Sequence, residues 1–209
     1  MTRRPWKVST WLRCRDPERM LRYVRDRGAS ERKVRLFLAA CCRACWERFT
    51  TEGSRSAIDA AERYVEEGEP AYGDLFAANK AAHRVPNYSE DDANFAICCL
   101  TCDDLNLAVA ASDILGPADQ CELLREIFAP GRETALDPTW LGEQVVSVAR
   151  AAYEHRSLPS GELEAARLAV LADALIDAGC DDDELLSHLR SPGPHVRGCW
   201  ALDLILAKE

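Results

Sequence analysis

The sequence lacks most of what would advertise a chemistry. No apolar run in its 209 residues approaches the ~20 needed for a membrane-spanning helix. The arginine-bearing start, MTRRPWKVSTWLRCR, has no apolar core of the kind that directs secretion. A cytoplasmic protein with no membrane partner is the expectation. There is no GxSxG elbow, phosphate-cradling glycine loop, GxGxxG or HExxH, so the common enzyme signatures are missing. Histidine is scarce, and the four at positions 83, 155, 188 and 195 form no spaced ligand set. No segment sustains the apolar–polar alternation of a half-buried strand or carries a hairpin signal. Aromatic residues are few, and Trp46, Trp140 and Trp200 stand beside apolar neighbours as core anchors do.

Charge and helical punctuation are what the chain does have. The formal net charge of −9 conceals a split: residues 1–50 sum to +9 and the remainder to −18. A basic end of this kind points either to nucleic acid or acidic lipid, or to docking on the acidic remainder of the same chain. The residues concerned are Arg15, Arg19, Arg22, Arg25, Arg32, Lys33 and Arg35. No nucleic-acid motif or interleaved aromatics accompany them, so docking is the preferred reading.

Asp16-Pro17 is an N-cap followed by a first-turn proline, opening a helix that Gly28 closes. Ser30 opens a longer one, with Val34, Phe37, Leu38, Cys41, Cys45 and Phe49 at helical spacing and a polar seam of Arg32, Arg35, Arg43 and Glu47. Helices are expected over 54–67, 71–84 and 89–116, the third started by Ser89, Glu90, Asp91 and Asp92. Further helices are expected over 117–128, 142–156, 162–178, 184–190 and 195–207. The fold class is all-α, an irregular bundle or short solenoid of about nine or ten helices, without a repeat of fixed period. The segment 129–139 reads as a seam between an N-terminal lobe, 1–128, and a C-terminal lobe, 140–209, unless the whole is one compact domain.

Ten cysteines are the most unusual feature. Two clusters look alike, Cys41-Cys42-Arg43-Ala44-Cys45 and Cys98-Cys99-Leu100-Thr101-Cys102. A disulfide framework is not expected in a reducing compartment. Cys41/Cys45, Cys98/Cys102 and His195/Cys199 each stand four residues apart in a predicted helix, so facing pairs could complete a structural zinc site. Each pair also lies in an apolar stripe rich in alanine, where cysteine packs as a small hydrophobe. Inert packing is the preferred reading, and no cofactor is expected. The acidic groups at 91–92, 103–104 and 181–183 lack the spacing and central glycine of a calcium loop, and two of them fall at helix starts.

The stretch from Pro192 to Trp200 stands apart. Pro-Gly-Pro precedes His195 and Arg197, where a helix start would aim N–H groups at an anion and keep the imidazole neutral. An enzyme or ligand site would draw on His195, Arg197, Cys199 and Cys180. Against it stands a rigid turn with His195 hydrogen-bonded to backbone.

Several segments resemble a group of uncharacterised bacterial helical proteins that occur in many paralogous copies. They are Trp11-Leu-Arg-Cys-Arg-Asp-Pro17, Arg32-Lys-Val-Arg-Leu-Phe37 with Cys41-Cys42-Arg43 and Trp46, and Ala61-Glu-Arg-Tyr64. Leu123-Leu-Arg-Glu-Ile-Phe128, Asp137-Pro-Thr-Trp-Leu141 and Leu171-Ala-Asp-Ala-Leu175 follow, then Asp177-Ala-Gly-Cys180, His188 and Gly193-Pro-His-Val-Arg-Gly-Cys-Trp200. The resemblance implies an all-helical fold and no established activity, and it carries over no functional residue. The second cysteine cluster departs from an alanine-rich middle in similar sequences. The expectation for function is a non-catalytic interaction or scaffold module whose partner is another protein, with nucleic-acid binding and a His195/Arg197 site as the alternatives.

Overall fold

The computed structural model describes residues 6–82, 100, 114–130 and 136–208. Ten α-helices are present among them, and the all-α class holds. The expected helix over 89–116, with the acidic groups at 91–92 and 103–104, lies almost wholly outside the described residues. The chain divides into two compact units, Cys14–Leu124 and Met1–Arg13 with Arg125–Glu209. The division thus comes before the stretch at 129–139 where the sequence suggests a seam.

In the Cys14–Leu124 unit, α2 (Pro17–Asp26) begins where the Asp16 side chain accepts from the Arg19 N–H, and α3 (Glu31–Ala44) where Ser30 accepts from Lys33. Each cap satisfies one of the N–H groups that a helix start leaves without an intrahelical partner. Ten of the fourteen residues of α3 are buried, as its nearly continuous apolar surface requires. It ends at Ala44, short of the expected Phe49, and a single 3-10 turn at Trp46–Arg48 follows. α4 (Glu52–Glu67) packs on α3, and α5 (Tyr72–Ala82) packs on α4. α6 (Pro117–Ile127) closes the described part of this unit and runs into the next.

The seam on α3 is not a solvated edge. Arg43 is buried and donates to both carboxylate oxygens of Glu62 at 2.9 and 2.5 Å, and to Asp59 at 2.5 Å. Arg35, also buried, donates to Glu31 and to the Leu100 carbonyl. Buried guanidinium groups persist where carboxylates and carbonyls take up their donors.

The other unit comprises α1 (Val8–Arg13), α7 (Glu143–Glu154), α8 (Ala165–Asp177), α9 (Asp183–Leu189) and α10 (Trp200–Leu206). α7 packs on α8 and α10, and α9 on α8 and α10. Leu168, Leu171, Ala172, Leu175, Leu185, Leu189, Ala201 and Leu202 fill the centre with no exposed surface. The unexpected element is a hairpin of two-residue strands, β1 (Arg156–Ser157) and β2 (Glu162–Leu163), paired antiparallel. Two residues per strand are too few to show a period of two, so no alternation marks them. No helix of the described residues is long and apolar enough to cross a membrane.

Candidate functional site

The sequence expects a helix from His195, whereas α10 begins at Trp200. Two features delay it. Gly193 has φ +96°, and a Cβ there would stand 2.8 Å from the His195 nitrogen, so glycine is required for the turn. Gly198 is also left-handed, at φ +88°, and interrupts helical geometry. The carbonyl of His195 accepts the Leu163 N–H at 2.8 Å, which ties the turn to β2. His195 and Cys199 are therefore not an i,i+4 pair on one helix. The turn brings them together nonetheless.

Two residues absent from the expected site join them. Glu126, the penultimate residue of α6, is only 4% exposed. Its Oε1 lies 3.3 Å from His195 Nδ1 and accepts the Val196 N–H at 3.3 Å. Its Oε2 lies 3.3 Å from Nε2 of His188, in the last turn of α9. His188 Nε2 is also 3.3 Å from the Cys199 sulfur. One ligand atom from each of Glu126, His188, His195 and Cys199 lies within 4.8 Å of the other three. Among the described residues this is the one group of three or more histidine, cysteine or acidic side chains close enough to share an ion.

Each position has a local cause. The Leu123–Phe128 segment buries Leu123, Leu124, Ile127 and Phe128, so Glu126 has apolar residues on both sides of it in the chain. α9 is started by Asp182, which accepts from the N–H groups of Glu184 and Leu185, and its last turn brings His188 to the cluster. The His188 ring packs against Trp200, 4.7 Å between centroids, and edge-on to His195. His195 Nε2 is 3.0 Å from the Ser191 carbonyl.

Burial governs the electrostatics. Burial raises the Cys199 thiol well above its ordinary range, and the Glu126 carboxylate adds to this. Burial also raises Glu126, against the opposing pull of His195. For His195, burial works to lower the pKa, but the Glu126 contact and the Ser191 carbonyl outweigh it and the net direction is upward. With no ion bound, the direction is thus opposite to the downward shift that a helix start would give.

The other expected site residues are dispersed. Arg197 lies over the Tyr153 ring at 5.8 Å, while His195 has the Glu126 carboxylate beside it. Cys180 is buried and its thiol is pushed up by that burial. Cys41 is fully buried, and the Cys45 sulfur donates to the Ile114 carbonyl. Cys98 and Cys102 lie outside the described residues. Of the basic set, Arg15, Arg19, Arg22 and Arg25 are exposed, Arg32 and Lys33 are half-buried, and Arg35 is buried. Arg22 pairs with Glu18 and Arg32 with Glu66.

Glu126 did leave a signal in the sequence. An acid flanked by Leu123, Leu124, Ile127 and Phe128 is a buried charge in need of a partner. The partner is 69 residues away, which no local pattern indicates. No protein-family model matches the chain, and comparison with curated proteins and with solved structures finds no match either.

Proposed function

We propose that this chain is a non-catalytic, cytoplasmic interaction module that docks on another protein. The observation that carries the reading is an aromatic face on α5. Tyr72 and Phe76 are 42% and 58% exposed and stack with centroids 6.3 Å apart. Tyr64 of α4 extends the row, 6.1 Å from Tyr72. Aromatic side chains bring large rigid area at small entropic cost and are enriched where proteins meet. The burial of Glu126, His195 and Cys199 supports the non-catalytic half, because a substrate would have to reach groups that solvent does not. A photo-reactive p-benzoylphenylalanine in place of Phe76 should give one discrete cross-linked product in the producing cells, weakened by Tyr72→Ala. The same probe at the exposed Glu154 is the control. Equal products at both positions, or none at position 76, overturn the reading.

Nucleic-acid binding is the second reading, favoured by the exposure of Arg15, Arg19, Arg22 and Arg25. Asp16, Glu18 and Asp26 interrupt this patch and are exposed as well, which places it second. Anisotropy titration with single- and double-stranded oligonucleotides separates the two, since phosphate contacts give an affinity that falls steeply with salt. No binding at low salt removes it.

A further inference from the structure

We propose that Glu126, His188, His195 and Cys199 form a structural zinc site that holds residues 125–127, α9, α10 and the turn before α10 together. Three observations carry it: the donor set, the spacing, and the hydrogen-bond inventory.

Two imidazole nitrogens, one thiolate and one carboxylate are the ligand types of a tetrahedral zinc, a borderline-soft ion. The chain supplies all four, so none of the four positions is left for water or substrate, as in structural rather than catalytic centres.

The spacing fits an ion better than it fits hydrogen bonds. Charge-assisted contacts between imidazolium and carboxylate draw in to about 2.7–2.9 Å. Here both His–Glu contacts stand at 3.3 Å. Bonds of 2.0–2.3 Å to a tetrahedral zinc set neighbouring ligand atoms about 3.3–3.8 Å apart, and the four ligand atoms here, which lie within 4.8 Å of one another, would draw in slightly around the ion.

The inventory points the same way. His195 faces an acceptor at each ring nitrogen, the Ser191 carbonyl at Nε2 and a Glu126 oxygen at Nδ1. A neutral imidazole has one N–H. Placed on Nε2, that proton satisfies the Ser191 carbonyl and leaves the Nδ1 lone pair aimed at the shared centre. A ligating histidine commonly donates its second nitrogen to a backbone carbonyl, which fixes tautomer and ring orientation. The Val196 N–H similarly steadies Glu126. A thiolate and a carboxylate contribute two negative charges, which a divalent cation neutralises inside an apolar core.

The test uses the untagged full-length chain purified without added metal. Elemental analysis should return about one zinc per chain, as expected of a closed four-ligand site. X-ray absorption at the zinc edge should show a first shell of one sulfur and three nitrogen or oxygen atoms. A shell with two or more sulfurs would put the metal at another cysteine group and overturn the assignment, as would a chain that neither retains zinc nor takes up added Zn2+ or Co2+. In the cobalt-substituted protein, a thiolate-to-cobalt charge-transfer band should accompany d–d bands of tetrahedral intensity. Cys199→Ser should remove the charge-transfer band, and Glu126→Gln should lower zinc content, while Cys180→Ser, a buried cysteine outside the cluster, leaves both unchanged. Retention of zinc and band in Cys199→Ser also overturns the proposal. The absorption measurement on the unaltered chain stands even if a variant does not fold.

Discussion

Single residues here are decided by what burial does to charge. Arg43 and Glu62 have side chains 2% and 5% exposed, so removing Glu62 takes the buried carboxylate from the guanidinium and leaves it the exposed one of Asp59. Glu62→Ala should therefore cost about 3–5 kcal/mol, read as a lowered urea midpoint at unchanged slope. Arg22→Ala removes only an exposed pair with Glu18 and should move the midpoint by less than about 1 kcal/mol. Equal effects of the two would show that the depth of Arg43 contributes nothing. Cysteine obeys the same rule. Burial raises the Cys41 thiol, and the neighbouring Cys42 and Cys45 raise it further. In the native protein at mildly alkaline pH, iodoacetamide should modify the half-buried Cys14 well before Cys41. Peptide mapping showing the two modified at one rate would contradict this. The partners of these groups are not visible in the sequence, where Arg35 and Arg43 read only as a polar seam. Charge marks a residue as polar but does not say that Glu62, nineteen positions on, will turn inward to meet it.

Helices were legible because their ends are local. Asp16-Pro17, Ser30 and the Asp181–Asp183 run each announce a start within a few residues, and the structure uses Asp16, Ser30 and Asp182 as caps. Asp182→Ala should cost about 1 kcal/mol and increase hydrogen exchange at Leu185 and Leu186. Unchanged exchange there would deny the cap its role. Asp137 gives a pH-dependent case. Its carboxylate accepts the N–H and hydroxyl of Thr139, which hold its pKa below the ordinary aspartate range. The stability it adds to the turn Pro138–Trp140 is thus present above the unfolded-state pKa and lost as pH falls through the depressed folded value. Amide protection at Trp140 should differ between wild type and Asp137→Ala at neutral pH and converge on acidification. A difference constant with pH would refute the linkage. What could not be read were elements set by distant contacts. The spacing of Val196, Cys199 and Trp200 fits a helix, but the Leu163 N–H holds the His195 carbonyl and the helix waits until Trp200.

On the scale of the molecule, the one cluster of potential ligands among the described residues lies within one of the two units. Glu126, His188, His195 and Cys199 all belong to the unit that contains Arg125–Glu209, so removing a metal from the cluster should act on that unit selectively. Hydrogen exchange measured with and without a strong chelator should show faster exchange in α9 and α10 and none in the core of α3 and α4. Uniform acceleration, or no change anywhere, would show that no ion braces this unit. His195 and Cys199 were nameable from sequence as potential ligands because they stand four residues apart in an expected helix, although a turn and not a helix brings them together. Glu126 and His188 were not, because a four-ligand centre assembled from three separate segments exists only after the chain has folded. The packing of His188 against Trp200 gives the protein a built-in optical gauge. Of the five tryptophans, Trp200 adjoins a proposed ligand ring, so a paramagnetic ion bound at the cluster would dim its emission. Filling and emptying of the site could then be followed in real time, with no label attached.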